Sequence, residues 1–149
     1  MEIKLFLNTH IEPVIQYEMS KFPSDWNDIQ KEMESWQHPW RKESLQHYCD
    51  LGWSFVAEEN DVLKGYILGQ PLLFFNNWTQ SLWVEDLSFD NEEIGFQLMD
   101  TAIKWSKTKH LQKVIFNTKS SKTGFVKESF PKFNDQSYLH LSTTKLEEN

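Results

Sequence analysis

The stretch SLWVEDLSFDNEEIGFQLMDTAIKWSK, running from Ser81 to Lys107, decides the reading of the chain. Its first part alternates as a strand over Ser81–Phe89, but the apolar phase changes midway. Leu82 and Val84 set one alternation and Leu87 and Phe89 the other, with Glu85-Asp86 between them. Strand side chains change face at every residue, so two apolar sets out of step by one residue require an extra residue, a β-bulge. The second part switches period. Ile94, Leu98, Met99, Ala102, Ile103 and Trp105 cover one broad helical face from Ile94 to about Lys107, with Gln97, Asp100, Lys104 and Lys107 opposite.

Upstream, Trp53–Glu58 and Val62–Leu68 flank the polar turn Glu59-Asn60-Asp61, a hairpin signature. Pro71 implies an edge or a break in the second of these strands, which resumes over Leu72–Phe75 before a turn at Asn76-Asn77. Nearer the N-terminus, Ile3–Leu7 reads as a strand. Ile11, Val14, Ile15, Met19 and Phe22 then follow helical spacing, with Pro13 in the tolerated first turn and Pro23 as the stop. Ser24 or Asp25 is the expected cap of a second helix reaching about Trp36, and HPWRKESLQHYCDLG reads as a loop and a short helix ending at Gly52. Downstream, Val114–Thr118 is a strand, SSKTG a loop, Phe125–Phe130 a short helix and Phe133–Thr144 one or two closing strands, with Lys145–Asn149 a fraying tail. This order predicts a single domain over residues 1–149, of mixed α/β (α+β) class, with a mostly antiparallel sheet flanked by helices.

Composition narrows the function classes. A hydrophobic content of 39% with 15% aromatic residues argues against persistent disorder and for one well-filled core. The net charge of −7 argues against a nucleic-acid partner, which needs clustered Lys and Arg, and favours a cationic ligand or simple solubility. Cys49 is the single cysteine, so no internal disulfide forms. MEIKLFLNTH lacks the basic-then-apolar pattern of a secretory signal, and no stretch of about 18 apolar residues offers a membrane span. The expectation is a cytoplasmic protein with no membrane partner. His38, His47 and Cys49 have no zinc-site spacing, so no metal is expected.

The succession of elements resembles the GNAT acetyltransferase superfamily over nearly the whole chain. FVAEENDVLKGYILG is similar to that family's central hairpin, LWVEDLSFD to its fourth strand and IGFQLMDTAIKW to the helix that follows. The resemblance implies acetyl-CoA as cofactor, lying in a gap opened by the bulge in the fourth strand. It assigns Leu87, Ser88 and Phe89 to the pantetheine arm, and the amides of Ile94, Gly95 and Phe96 to the pyrophosphate. It further implies transfer of an acetyl group to an amine of a small molecule or peptide, with Glu85 as the base facing that amine.

Two segments depart from the family pattern. Its loop of the form Gln/Arg-x-x-Gly-x-Gly/Ala is shortened here to DNEEIG, with Asp90 at the Gln/Arg position, Glu93 at the first glycine and Gly95 at the last. Between Glu85 and Asp100 stand Asp86, Asp90, Glu92 and Glu93 with no Lys or Arg, a sign that opposes a pyrophosphate. Asp90 followed by Glu93 reads as a cap and capping box for the helix. Near the C-terminus, Ser121, Gly124 and Glu128 fall at the family's Asn, Ala and Tyr positions, so the Tyr that reprotonates the leaving thiolate is absent, and Tyr138 lies further on.

Trp26, Trp36 and Trp40 fall in the helical region that overhangs the acceptor pocket in such folds. Beside acids they suit a cationic amine, and alternatively a contact between two copies or plain core. His47 and Tyr48 precede the hairpin and are secondary candidates for the acceptor channel. The other reading of these features is a GNAT-like domain without catalysis that binds a ligand or a protein.

Overall fold

The computed structural model describes residues 1–74, 77 and 79–134. The chain runs β1 (Glu2–Leu5), a 3-10 turn (Asn8–His10), α1 (Ile11–Met19), α2 (Asp28–Ser35), α3 (Lys42–Leu51), β2 (Phe55–Glu59), β3 (Val62–Leu73), β4 (Gln80–Phe89), α4 (Glu92–Thr108), β5 (Lys113–Phe116) and α5 (Thr123–Ser129). The strands form one sheet in the order β1-β2-β3-β4-β5. All neighbours are antiparallel except β4 and β5, which run parallel. The expected closing strands over Phe133–Thr144, Tyr138 and the tail lie almost wholly outside the described residues.

Local sequence explains most element ends. Asn27 rather than Ser24 or Asp25 caps α2, because its side chain takes the Gln30 amide at 2.8 Å while the Gln30 side chain returns to the Asn27 amide at 2.8 Å. α3 ends on Gly52 at φ +75°, a left-handed position that glycine adopts without a Cβ penalty. Pro71 does not break β3. The β2 pairing ends at Phe55–Ile67, so the side of Pro71 that lacks an N–H faces no strand, and β3 stays paired with β4 as far as Leu73.

Two apolar layers cover the sheet. On one face α4 and α5 pack Ile94, Leu98, Met99, Ala102 and Val126 against Phe55, Ala57, Ile67, Leu82, Val84 and Leu87. On the other, α1 and α3 pack Ile11, Val14, Leu45 and Tyr48 against Phe6, Val56, Tyr66 and Leu68. Fully burying an aliphatic side chain of this size is worth about 1.5–3 kcal/mol, which is why the helical stripe read from Ile94 to Lys107 anchors α4. Among the described residues no helix is long and apolar enough to cross a membrane.

Candidate functional site

The bulge lies where the apolar phase changes. Leu68 pairs with Asp86 and Gly69 with Val84, so Glu85 is the extra residue of β4. Val84 and Leu87 thus both face the α4 side, while Glu85 and Asp86 are free to face the α1–α3 side.

At the same bulge the ladder between β4 and β5 stops. β4 pairs with β5 only from Ser81–Lys113 to Val84–Phe116. Asn117 then closes the ladder: its amide N–H donates to the Val84 carbonyl at 3.0 Å and its Nδ2 donates to the Glu85 carbonyl at 3.2 Å. Beyond it β4 continues without β5. The Asp90 amide donates to the Lys64 carbonyl at 3.0 Å, which makes 64/90, 66/88 and 68/86 the hydrogen-bonded pairs with β3. Leu87 and Phe89 therefore turn their backbone groups away from β3, toward the opening. The Leu87 N–H is taken by Asp86 Oδ1 at 2.9 Å.

Carboxyl and phenol groups gather on the α1–α3 side of the opening. Glu85 accepts from the Trp83 indole N–H at 2.6 Å, which fixes its direction. Asp86 is pushed up to about 6 by burial and by the nearby Glu18 and Glu85 charges, against the opposing pull of its bond to the Leu87 amide. The Tyr66 hydroxyl stands 3.5 Å from Asp86 Oδ2 and is itself held protonated by burial and by the Asp86 charge. Tyr48 is raised by burial first and then by Glu85 and Asp86. From α1, Tyr17 donates to Asp90 Oδ1 at 2.7 Å, and Lys21 Nζ bridges Glu18 Oε1 at 3.2 Å and Ser88 Oγ at 2.8 Å. Sequence reasoning does not single out Asp86, Glu18, Tyr17, Tyr66 or Lys21. The phase change signals Asp86, whereas the α1 residues sit between the apolar positions of their helix and carry no motif.

The start of α4 differs from the sequence expectation. Asn91, not Asp90, is the cap. Its Oδ1 accepts from the Ile94 amide at 3.1 Å and its carbonyl accepts from the Gly95 amide at 3.2 Å, while Asp90 turns to Tyr17 and to Lys64 Nζ, 3.9 Å away. A connection of two residues leaves Asn91 with extended backbone, the geometry a cap requires. Glu92 and Glu93 occupy the exposed first turn. Gly95 packs face to face with an aromatic ring: a Cβ there would lie 2.6 Å from Phe89 Cδ2 and Cε2. Phe125 packs on the same Phe89 ring at 4.8 Å, and the half-exposed Phe96 stacks on Phe130 at 4.9 Å.

The three tryptophans separate. Trp40 is 4% exposed and belongs to the α1–α3 core, stacked on His38 at 5.3 Å, which is the plain-core alternative for this residue. Trp26 and Trp36 line a shallow open groove with Gln30, Met33, Glu34 and Gln37, a lining that includes no residue of β4. His47 bonds Gln70 Oε1 at 2.7 Å and meets the Tyr48 ring at 5.0 Å.

No curated protein sequence matches the chain. Solved structures do. A protein from Thermus thermophilus, TTHA1254, is 15% identical with a TM-score of 0.65 over the whole of both chains. Aminoglycoside N-acetyltransferase AAC(6')-Iy, solved with CoA, is 14% identical with a TM-score of 0.63, covering 97% of this chain and 94% of that one. An aminoglycoside acetyltransferase from an uncultured soil metagenomic sample, solved with sisomicin, is 15% identical with a TM-score of 0.61, covering 97% of this chain and 96% of that one. At such identities the likeness establishes the fold. The sequence profile of the acetyltransferase (GNAT) family matches residues 12–124, and the chain belongs to that family.

Proposed function

We propose that the protein is an N-acyltransferase that moves an acetyl group from a pantetheine thioester to an amine of a small molecule or peptide. The observation that carries this reading is the opening between β4 and β5, with Leu87 and Phe89 presenting backbone groups to it and carboxylates grouped beside it. A thioester bound along that edge supplies the activated acyl group. The chain's own residues do the rest. Glu85, steered by Trp83, is the group best oriented to accept a proton from an incoming ammonium. Glu18, Glu85 and Asp86 together attract a cationic acceptor, and buried, protonated Tyr48 and Tyr66 wall the site without adding charge. The amine freed by this proton transfer forms the C–N bond as the C–S bond breaks, and the surplus proton on its nitrogen passes to the departing thiolate, which leaves as the thiol.

The residues fit the two halves of acetyl-CoA unequally. The backbone of Leu87 and Phe89 suits an amide-bearing arm, and Ser88 faces the α1 side beside Lys21. At the start of α4, Asn91 holds the Ile94 and Gly95 amides, and Glu92 and Glu93 stand where a diphosphate would bring like charge. At about 4 Å a pair of like charges costs about 1 kcal/mol even in water. The test is turnover: acetyl-CoA or S-acetylpantetheine with a panel of polyamines, amino sugars and N-terminal peptides, read by mass spectrometry. Acylated amine formed faster than in the protein-free control supports the reading, and its absence across the panel counts against it.

A further inference from the structure

We infer that the acyl donor is recognised through its pantetheine arm alone, so that the natural donor class is a pantetheine thioester without a 3′-phospho-ADP group. The inference rests on the acyltransferase reading above and narrows its substrate.

The two halves of the donor surface stand in contrast. Along β4 the arm side stays open: Asn117 ends the β5 ladder at Val84 and Glu85, and the backbone groups of Leu87 and Phe89 turn away from β3, the Leu87 N–H being held by Asp86 Oδ1. At α4 the nucleotide side is closed on three counts. The connection from Phe89 to Glu92 is only Asp90-Asn91, so no loop remains to wrap an anion. The Ile94 amide, the last of the helix-start amides before the regular ladder begins at Gly95, is already taken by the Asn91 side chain. The space over Gly95, where a small residue would let a ligand approach the backbone, holds the Phe89 ring. Charge agrees with shape. Glu92 and Glu93 are exposed at the helix start, and Lys64 faces Asp90 while Lys21 bridges Glu18 and Ser88; Lys122 stands over the Phe89 ring at 4.5 Å. A diphosphate brought to this turn meets Glu92 and Glu93, two acids against the one cation of Lys122. A free arm, which ends in a hydroxyl, meets none of this opposition, and an arm joined to a carrier protein by a phosphodiester brings one negative charge where CoA brings several.

Such an arm exists free or attached to a carrier protein, and binding measurements on the intact protein separate the cases. Dissociation constants are measured by calorimetry for CoA, pantetheine and a holo-acyl carrier protein at about 20 and about 300 mM NaCl, a range over which exposed charges become screened. We expect CoA and pantetheine to agree within about tenfold, and CoA to bind no more weakly at high salt, since screening relieves like-charge repulsion. Glu92→Lys combined with Glu93→Lys should tighten CoA by about tenfold at low salt and leave pantetheine unchanged. Tighter binding of the holo-carrier than of pantetheine supports the inference with a protein-borne arm, and equal or weaker binding supports it with a free one. CoA binding more than about tenfold tighter than pantetheine and weakening with salt overturns the inference while leaving the acyltransferase reading intact. Binding of none of the three overturns both.

Discussion

The Phe89 ring occupies the space that a side chain at Gly95 would need: a Cβ on Gly95 would stand 2.6 Å from two of its carbons. The two residues therefore specify each other. Gly95→Ala should destabilise the fold by about 1–3 kcal/mol, the usual cost of overpacking a well-filled core. Phe89→Val should remove most of that penalty, so the double variant should be little less stable than Phe89→Val alone. Urea denaturation of the four proteins in the cycle measures the coupling, and additive effects would show that the ring and the glycine do not compete for one space.

Asp86 gives a pH-dependent stability with a definite sign. Its folded-state value is raised to about 6 from 3.8, chiefly by burial, so between about pH 4 and 6 the folded state holds more protons than the unfolded one. Stability from this group is therefore lost as pH rises through that window. Asp86→Asn keeps an oxygen to accept from the Leu87 amide and removes the buried charge. It should raise the stability at pH 7.5 by about 1–3 kcal/mol and change it little at pH 4. Thermal melts of both proteins across this range provide the check. A variant destabilised at neutral pH would contradict the placement of a charge-burying Asp86 beside Tyr66.

How much of this is legible in the sequence depends on the kind of signal. The bulge is readable because Leu82 and Val84 stand out of phase with Leu87 and Phe89, and alternation leaves no other solution within one strand. The α4 stripe is readable for the same reason at period 3.6. Local sequence favours Asp90 over Asn91 as the cap only weakly, because Asp and Asn are nearly equivalent there. A contact distant in sequence, from Tyr17 on α1, draws Asp90 away and leaves Asn91 to cap. The layer that buries Trp40 is likewise not written locally: composition marks aromatic residues as notable but not which layer takes them, and Trp40 falls under the α1–α3 layer. Lys21 bridging Glu18 and Ser88 depends on how α1 crosses β4, which no local pattern encodes.

Asn117 holds the opening between the strands by donating its side-chain amide to the Glu85 carbonyl. Asn117→Ala should cost about 1 kcal/mol, the ordinary worth of such a bond. The loss should be local. Amide hydrogen exchange should quicken over Glu85–Leu87 while the paired Ser81–Val84 segment keeps its protection, and uniform acceleration along β4 would argue against a clamp at Asn117.

In the proposed reaction Trp83 acts only through Glu85, to whose carboxylate its indole N–H donates at 2.6 Å. Trp83→Phe should lower kcat by about tenfold through lost orientation, with a smaller effect than removing the carboxylate itself, and should leave donor affinity unchanged. Equal kcat in Trp83→Phe and the parent protein would show that the hydrogen bond has no part in positioning the base.

The most direct measurement is acyl transfer by the parent protein and by Glu85→Gln, with S-acetylpantetheine and acetyl-CoA as donors and an amine panel as acceptors. Acylated product and released thiol are quantified together. We predict stoichiometric acyl-amine and thiol from the parent, and a fall in kcat of about 10²-fold or more in Glu85→Gln with donor binding retained, the range expected for loss of a general base. A parent protein that forms no acyl-amine with either donor, or a Glu85→Gln variant that turns over at the parent rate, would contradict the account.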